Sequence, residues 1–223
     1  MKYVYLATLL ASSLLASTLD QKYEPNVVPK SMSVQTKKER FYYLLVPAIE
    51  KVHADLMKEY ESVAQDIKNS KNADKISKLK VTCKAQTQSD LLACLKPHPQ
   101  SITLAQAAME SSWGTSRFFV KANNVFGMWS TNPNEPRIAA KEKRGGTRTM
   151  WLRKFQTLEE SVKAYYSLIS TGKAFKEFRA LRLQTNDPHQ LVKKLDKYSE
   201  IGDLYGQELS QVIRHNKLAM YDK

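Results

Sequence analysis

Residues 104–114 read Leu-Ala-Gln-Ala-Ala-Met-Glu-Ser-Ser-Trp-Gly. Ile102, Leu104, Ala105, Ala107, Ala108 and Met109 precede Glu110 without an intervening charge, a pattern that predicts a helix with Ser101 as its cap. Small side chains let other elements pack close, which lowers the dielectric around the lone carboxyl. Desolvation raises a glutamate's pKa. A carboxyl kept protonated near neutral pH can donate to a leaving oxygen. On composition alone an exposed helix position is the favoured reading, because charged side chains are mostly exposed.

Working outward, Phe41, Leu44, Leu45, Ile49, Val52, Leu56 and Met57 recur at spacings of three and four from Lys37 onward, predicting an early helix. Residues 67–82 are lysine-rich and read as a loop or frayed helix. Leu91, Leu92 and Leu95 form a short apolar group that Pro97 and Pro99 bring to an end. Beyond the central stretch, Gly145-Gly146 separates Ile138 from Thr147, Thr149, Met150 and Trp151, a β-hairpin pattern. Helical spacing returns at Leu158, Val162, Tyr165, Leu168 and Ile169, and again around Phe175–Leu183, Leu191–Leu195 and Leu204–Leu218. The expected fold is mainly helical with one small β-element.

The 223 residues suit one domain with a small appendage. Glycine is scarce, and no phosphate-cradling loop is present, which disfavours a nucleotide-binding enzyme. Thirty-five basic against twenty-two acidic side chains give a net charge of +13, favouring an anionic partner. Lys2, the apolar stretch Val4–Leu15 and the small residues Ala16 and Ser17 read as an export signal over 1–17, cleaved near Ser17 or Thr18. That stretch falls short of the about 20 apolar residues of a stable span. Residues 18–36, with Pro25 and Pro29, read as a flexible lead-in, leaving 37–223 as the domain. Cys83 and Cys94 suggest one disulfide in an exported chain, with two buried thiols as the alternative. Neither cysteine spacing nor the scattered His53, His98, His189 and His215 fits a metal site. No metal or cofactor is expected.

The segment Ala105-Gln-Ala-Ala-Met-Glu-Ser-Ser-Trp-Gly114, with Ser116-Arg117-Phe118 and Asn123-Asn124-Val125-Phe126-Gly127, resembles glycoside hydrolase family 73, endo-β-N-acetylglucosaminidases that cut peptidoglycan. Phe41-Tyr-Tyr-Leu-Leu-Val-Pro-Ala-Ile-Glu-Lys-Val, Tyr198-Ser-Glu-Ile-Gly and Asn216-Lys-Leu-Ala-Met-Tyr-Asp are similar to the Bax-type branch of that family. The resemblance covers residues 37–222 and implies a lysozyme-like fold, with a helical lobe, a small β-hairpin lobe and a cleft between them. It also implies that Glu110 is the general acid.

A second carboxylate is expected across the scissile bond. Glu142, thirty-two residues on and just before the Gly145-Gly146 turn, could reach over a cleft; flanking Lys141, Lys143 and Arg144 equally suit a charged hairpin tip. Glu135 reads as a loop residue. The resemblance maps a family tyrosine onto Tyr198, to hold the N-acetyl group or orient a water, the alternative being a packed ring. Trp113, Phe126 and Trp129 flank the acid and are candidates to stack on sugar, and Phe126-Gly127 matches a family motif. Trp113, one helical turn beyond Glu110, could instead desolvate the acid. For Trp129 and Trp151, core packing is the default. Asn123 and Asn124 could bond glycan hydroxyls or make the turn before Val125.

Glu142 activating water would give inversion, whereas attack by the substrate's acetamido oxygen would give retention. The expected partners are peptidoglycan strands and an anionic wall polymer, in the periplasm or outside the cell, for a monomer with no stable membrane span and no nucleic-acid role. Rival readings are a lytic transglycosylase or muramidase of the same fold, or a non-catalytic wall-binding protein. A secreted DNA-binding protein ranks last, lacking any recognition motif.

Overall fold

The computed structural model describes residues 22–144 and 148–222. The expected export signal at 1–17 and the Gly145-Gly146 turn lie outside them. Helix α1 (Val34–Lys68) buries Phe41, Leu44, Leu45, Ile49 and Val52 along one face, as their spacing predicts. It begins three residues before the expected Lys37, where the Ser33 hydroxyl accepts from the Thr36 amide at 3.0 Å. The segment before it, expected to be flexible, is pinned from residue 22 onward. Buried Arg40 donates to the carbonyls of Glu24, Pro25 and Val27, and Tyr23 packs edge-on against Tyr43. An arginine inside an apolar stripe carries no sequence signal that it will collect carbonyls.

The lysine-rich stretch is a second correction. It holds the end of α1 and a complete helix, α2 (Ala73–Cys83), which buries none of its residues. Lys75 and Asn72 bond Asp66 of α1, and a Cys83–Cys94 disulfide joins α2 to α3 (Gln88–Leu95). Helix α3 opens with a Thr87–Asp90 capping box and stops before Pro97, the proline terminator expected there.

Helix α4 (Gln100–Glu110) is the centre of the molecule, with residues 100–108 all buried. Ser101 does not cap it. Ser101 lies inside the first turn, and its amide and hydroxyl donate to the Asp222 carboxylate at 2.7 and 2.5 Å. The cap thus comes from 121 residues away, beyond the reach of a local pattern.

Helix α5 (Arg117–Ala122) joins the body to a two-stranded antiparallel sheet, β1 (Arg137–Arg144) and β2 (Arg148–Arg153). Arg117 donates to Ala139 of β1 at 2.8 Å, and Asn124 clasps the Arg153 carbonyl at 2.9 Å. Pairing runs from Arg137↔Arg153 to Ala139↔Trp151, then resumes at Lys143↔Thr149. Residues 140–142 therefore oppose Met150 alone, a bulge that bends the strand.

The remaining core comes from α6 (Leu158–Thr171), α7 (Lys176–Arg182), α8 (Pro188–Leu191) and α9 (Asp203–His215), with 3-10 turns at 173–175, 192–194 and 218–221. Leu158, Val162, Tyr165 and Ile169 face inward as their spacing predicts, while Leu168 is exposed. The fold is thus mainly helical with one small antiparallel sheet. Among the described residues, no helix is long and apolar enough to cross a membrane.

Candidate active site

Glu110 is the last residue of α4, half-buried at the helix end. Immediately afterwards Ser112, Trp113 and Gly114 all take positive φ, at 52°, 60° and 71°. The reversal is held by its own bonds. Trp113 N–H donates to the Ala108 carbonyl at 2.8 Å, and Gly114 N–H to Ser111 Oγ at 2.8 Å. Arg40 Nη1 donates to the Gly114 carbonyl at 2.8 Å, tying the turn to α1 and the lead-in. A side chain at 114 would be strained by its φ and would meet the Phe119 ring at 3.3 Å, so the glycine of the quoted stretch is a steric requirement.

Burial pushes the Glu110 carboxyl above its ordinary range. One bond opposes this, because Tyr205 of α9 donates its hydroxyl to Glu110 Oε1 at 2.8 Å. Burial prevails, giving a carboxyl that keeps its proton to higher pH than a solvated glutamate. Burial and the nearby Glu110 charge both raise the Tyr205 pKa, leaving it a neutral donor.

Tyr205 was not legible as a site residue, because ninety-five positions separate it from Glu110. Tyr198 stacks on its ring, with centroids 5.4 Å apart and planes at 10°. The Tyr198 hydroxyl points to the Phe126 carbonyl at 3.5 Å, and burial followed by the Glu110 charge raises its pKa.

The other sequence candidates divide. Trp113 lies beyond the helix end, so the one-turn relation to Glu110 does not hold. Its ring packs edge-on against Phe41 and Tyr42, with the Lys38 ammonium 4.9 Å above it. It also lines a groove of about 740 Å³ with Val212, His215 and Asn216. Phe126 is buried and stacked on Tyr165, centroids 4.0 Å apart, which makes its ring core instead of a sugar platform.

Asn124 spends its side chain on the Met128 amide and the carbonyls of Met128 and Arg153, and Asn123 caps α5 in the left-handed region. These asparagines make the turn. Gly127 sits at φ +63° with open space around it, so only its backbone angle calls for glycine. Trp129 departs from the core default, being 55% exposed beside a hollow of about 280 Å³ with Trp151 and Arg137.

Glu135 precedes β1 and pairs with Arg153 at 3.1 Å. Glu142 falls in the β1 bulge, and its side chain lies outside the described residues. Among the described residues, no cluster of three or more His, Cys, Asp or Glu could hold a metal ion.

Over 172 residues the chain is 27% identical to protein Bax of Escherichia coli strain K12, covering 73% of this chain. It spans only 60% of that relative's length. The catalytic domain of the autolysin Auto from Listeria monocytogenes shares the fold, with a TM-score of 0.53 at 18% identity, covering 86% of this chain and 92% of that one. Residues 85–218 match the profile of the Glucosaminidase family, described as mannosyl-glycoprotein endo-beta-N-acetylglucosaminidase. That span runs from α3 through Glu110 and the hairpin to Tyr205 and the end of α9, and with it the chain belongs to the Glucosaminidase family.

Proposed function

We propose that the protein is a peptidoglycan hydrolase that cleaves the β-1,4 bond on the reducing side of N-acetylglucosamine, with Glu110 as general acid. The observation that carries this reading is the Glu110 carboxyl itself. Desolvation raises its pKa, Tyr205 holds one of its oxygens, and it stands at the end of a rigid buried helix in a glucosaminidase-family chain. The protonated carboxyl gives its proton to the glycosidic oxygen as the C1–O bond breaks, and the bonding pair leaves with that oxygen. Positive charge on the ring is then met from the opposite face.

Two groups can meet it: a water activated by Glu142 from the hairpin, or the substrate's acetamido oxygen. The first delivers inversion and the second retention. Tyr198, stacked on the tyrosine that bonds the acid, is the residue we assign to hold the N-acetyl group or a water. Exposed Trp129 beside the hairpin and groove-lining Trp113 remain our candidates to stack on a sugar.

A net charge of +13 would hold the enzyme on an anionic wall, with binding that weakens as salt rises. That setting requires export, which the 1–17 signal would provide, and fractionation of cells carrying the full chain tests it.

Mass spectrometry of muropeptides released from purified sacculi tests the activity. New reducing ends on N-acetylglucosamine support the reading. Reducing N-acetylmuramic acid would make the protein a muramidase, anhydro ends a lytic transglycosylase, and no release a wall-binding protein. Glu110→Gln should lower release by orders of magnitude while the chain stays folded. Undiminished release would refute the acid assignment.

A further inference from the structure

The face of α4 that ends in Glu110 continues inward as a polar stripe. Thr103, Gln106 and Glu110 are spaced three and four apart, so they share one side of the helix. Each is met by a polar group from elsewhere. Tyr205 donates to Glu110 Oε1 at 2.8 Å and accepts from Gln106 Nε2 at 3.0 Å. Gln106 Oε1 accepts from the hydroxyl of Tyr165 on α6. That hydroxyl lies 3.0 Å from His98 Nε2. Thr103 Oγ1 also lies 3.0 Å from His98 Nε2, and it donates to Tyr166 at 2.9 Å. His98, Thr103, Gln106 and Tyr165 are all fully buried.

Counting protons gives this chain a direction. A hydroxyl has one hydrogen to donate. His98 Nδ1 has no partner among the described residues, and an orphaned buried N–H is costly, so the ring hydrogen belongs on Nε2, within reach of the Tyr165 and Thr103 oxygens. Nδ1 keeps a lone pair, the cheaper group to bury unpaired.

The Gln106 amide then cannot turn over. Reversed, its NH₂ would face Tyr165, whose proton would need an acceptor on Nε2 that the ring hydrogen occupies. With a Gln106 N–H on the Tyr205 oxygen, the single Tyr205 proton goes to Glu110 Oε1. A protonated Glu110 then favours its own hydrogen on Oε2, because the carbonyl oxygen of a carboxylic acid is the better acceptor for Tyr205.

We propose that His98, Tyr165, Gln106 and Tyr205 form a relay that directs the Glu110 proton to Oε2, with His98, Tyr165 and Gln106 acting as positioning residues through Tyr205. The proposal rests on Glu110 being the acid of the proposed function. Its value to such an acid is orientation, since one oxygen is held as an acceptor and the other presents the proton.

The groups facing the two ends suit this arrangement. Tyr205 and Tyr198 face Glu110. Arg182 and His53 face His98 alongside Tyr165 and Tyr166, and burial, followed by the Arg182 charge, holds His98 neutral, with one ring hydrogen.

The test reads the carboxyl directly. In the full chain carrying ¹³C-labelled glutamate carboxyls, the Glu110 resonance, assigned by its loss in Glu110→Gln, is followed through a pH titration. Tyr205→Phe should raise the midpoint by about one pH unit, because a donor to the charged form is gone. Tyr165→Phe touches neither Glu110 nor substrate. It should raise the midpoint by a smaller amount, because the Gln106 amide becomes free to turn.

The double variant should match Tyr205→Phe alone. An unmoved midpoint in Tyr165→Phe, or two shifts that simply add, would overturn the relay. His98→Gln, which keeps a donor near Nε2, should retain the wild-type midpoint, and His98→Met should follow Tyr165→Phe. Equal midpoints in both His98 variants would remove His98 from the relay. If His98→Met does not fold, the tyrosine cycle decides alone. Sacculus cleavage by Glu110→Gln reports separately on the acid assignment, so the two ideas fail by different measurements.

Discussion

Helices α2 and α4 are each eleven residues long, and they are opposites in burial and charge. Nine successive residues of α4 are buried, whereas α2 buries none. Helix α4 carries no charge before Glu110 and is capped at its start by Asp222 from the chain's other end. Helix α2 carries Lys75, Lys78, Lys80 and Asp74, begins and ends on left-handed residues (Asn72 and Lys84), and is tied down by a disulfide and by bonds to Asp66. Both are helices, yet only α4 ends in a carboxyl whose pKa burial raises. A carboxyl is desolvated and aimed only when the helix beneath it is gripped on all sides. A short polar helix is marginal in water by itself, so α2 borrows its stability from the cross-link and from α1.

The largest expected difference is chemical. Glu110→Gln should lower sacculus hydrolysis by about 10²–10⁴-fold, the usual contribution of general acid catalysis. The same change should raise the thermal midpoint at pH 8 and leave it unchanged at pH 4. Burial holds the folded pKa of Glu110 above its unfolded value. The carboxyl's contribution to stability is therefore fully present below the unfolded pKa and is lost as pH climbs through the folded one. A neutral amide has nothing to lose, and about 2 °C is the expected gain.

Packing should separate the helices next. Ala107→Leu on α4 should cost about 1–3 kcal/mol in urea unfolding through overpacking. Ser77→Leu, on an exposed position of α2, should cost less than about 0.5 kcal/mol. Similar costs at the two sites would break the contrast.

Asp222→Ala strips the start of α4 of its cap and leaves buried Ser101 without an acceptor, for an expected loss of about 1–2 kcal/mol. The smallest global effect belongs to reduction of Cys83–Cys94. It should speed amide exchange across 73–83 while amides of 100–108 keep their protection, because α2 contributes nothing to the core. Loss of protection in α4 on reduction would show that α2 supports the core after all.

The outline of the fold was legible in residue spacing. The apolar repeats of α1 and α6, the prolines after α3 and the pairing of β1 with β2 correspond to local rules that a chain obeys wherever it sits. The 105–127 motif marked Glu110 and its family for the same reason, as contiguous sequence. Readings of contact were less secure. Trp113 was assigned to the Glu110 face by assuming that the helix continued, and three positive-φ residues end that relation. Phe126 carried a motif but went to the core. Arg40 and Tyr205 gave no local sign at all.

Periodicity, proline and glycine act over a few residues, so the order and character of the helices, the hairpin and the family motif were written in the chain. What ties the turn after Glu110, which oxygen of Glu110 is held and which residue caps α4 depend on partners 74, 95 and 121 positions away. Such partners meet only when apolar burial has brought α1, α4, α6 and α9 together. Hydrogen bonds are short and directional, and a linear spacing carries no record of where two distant side chains will meet.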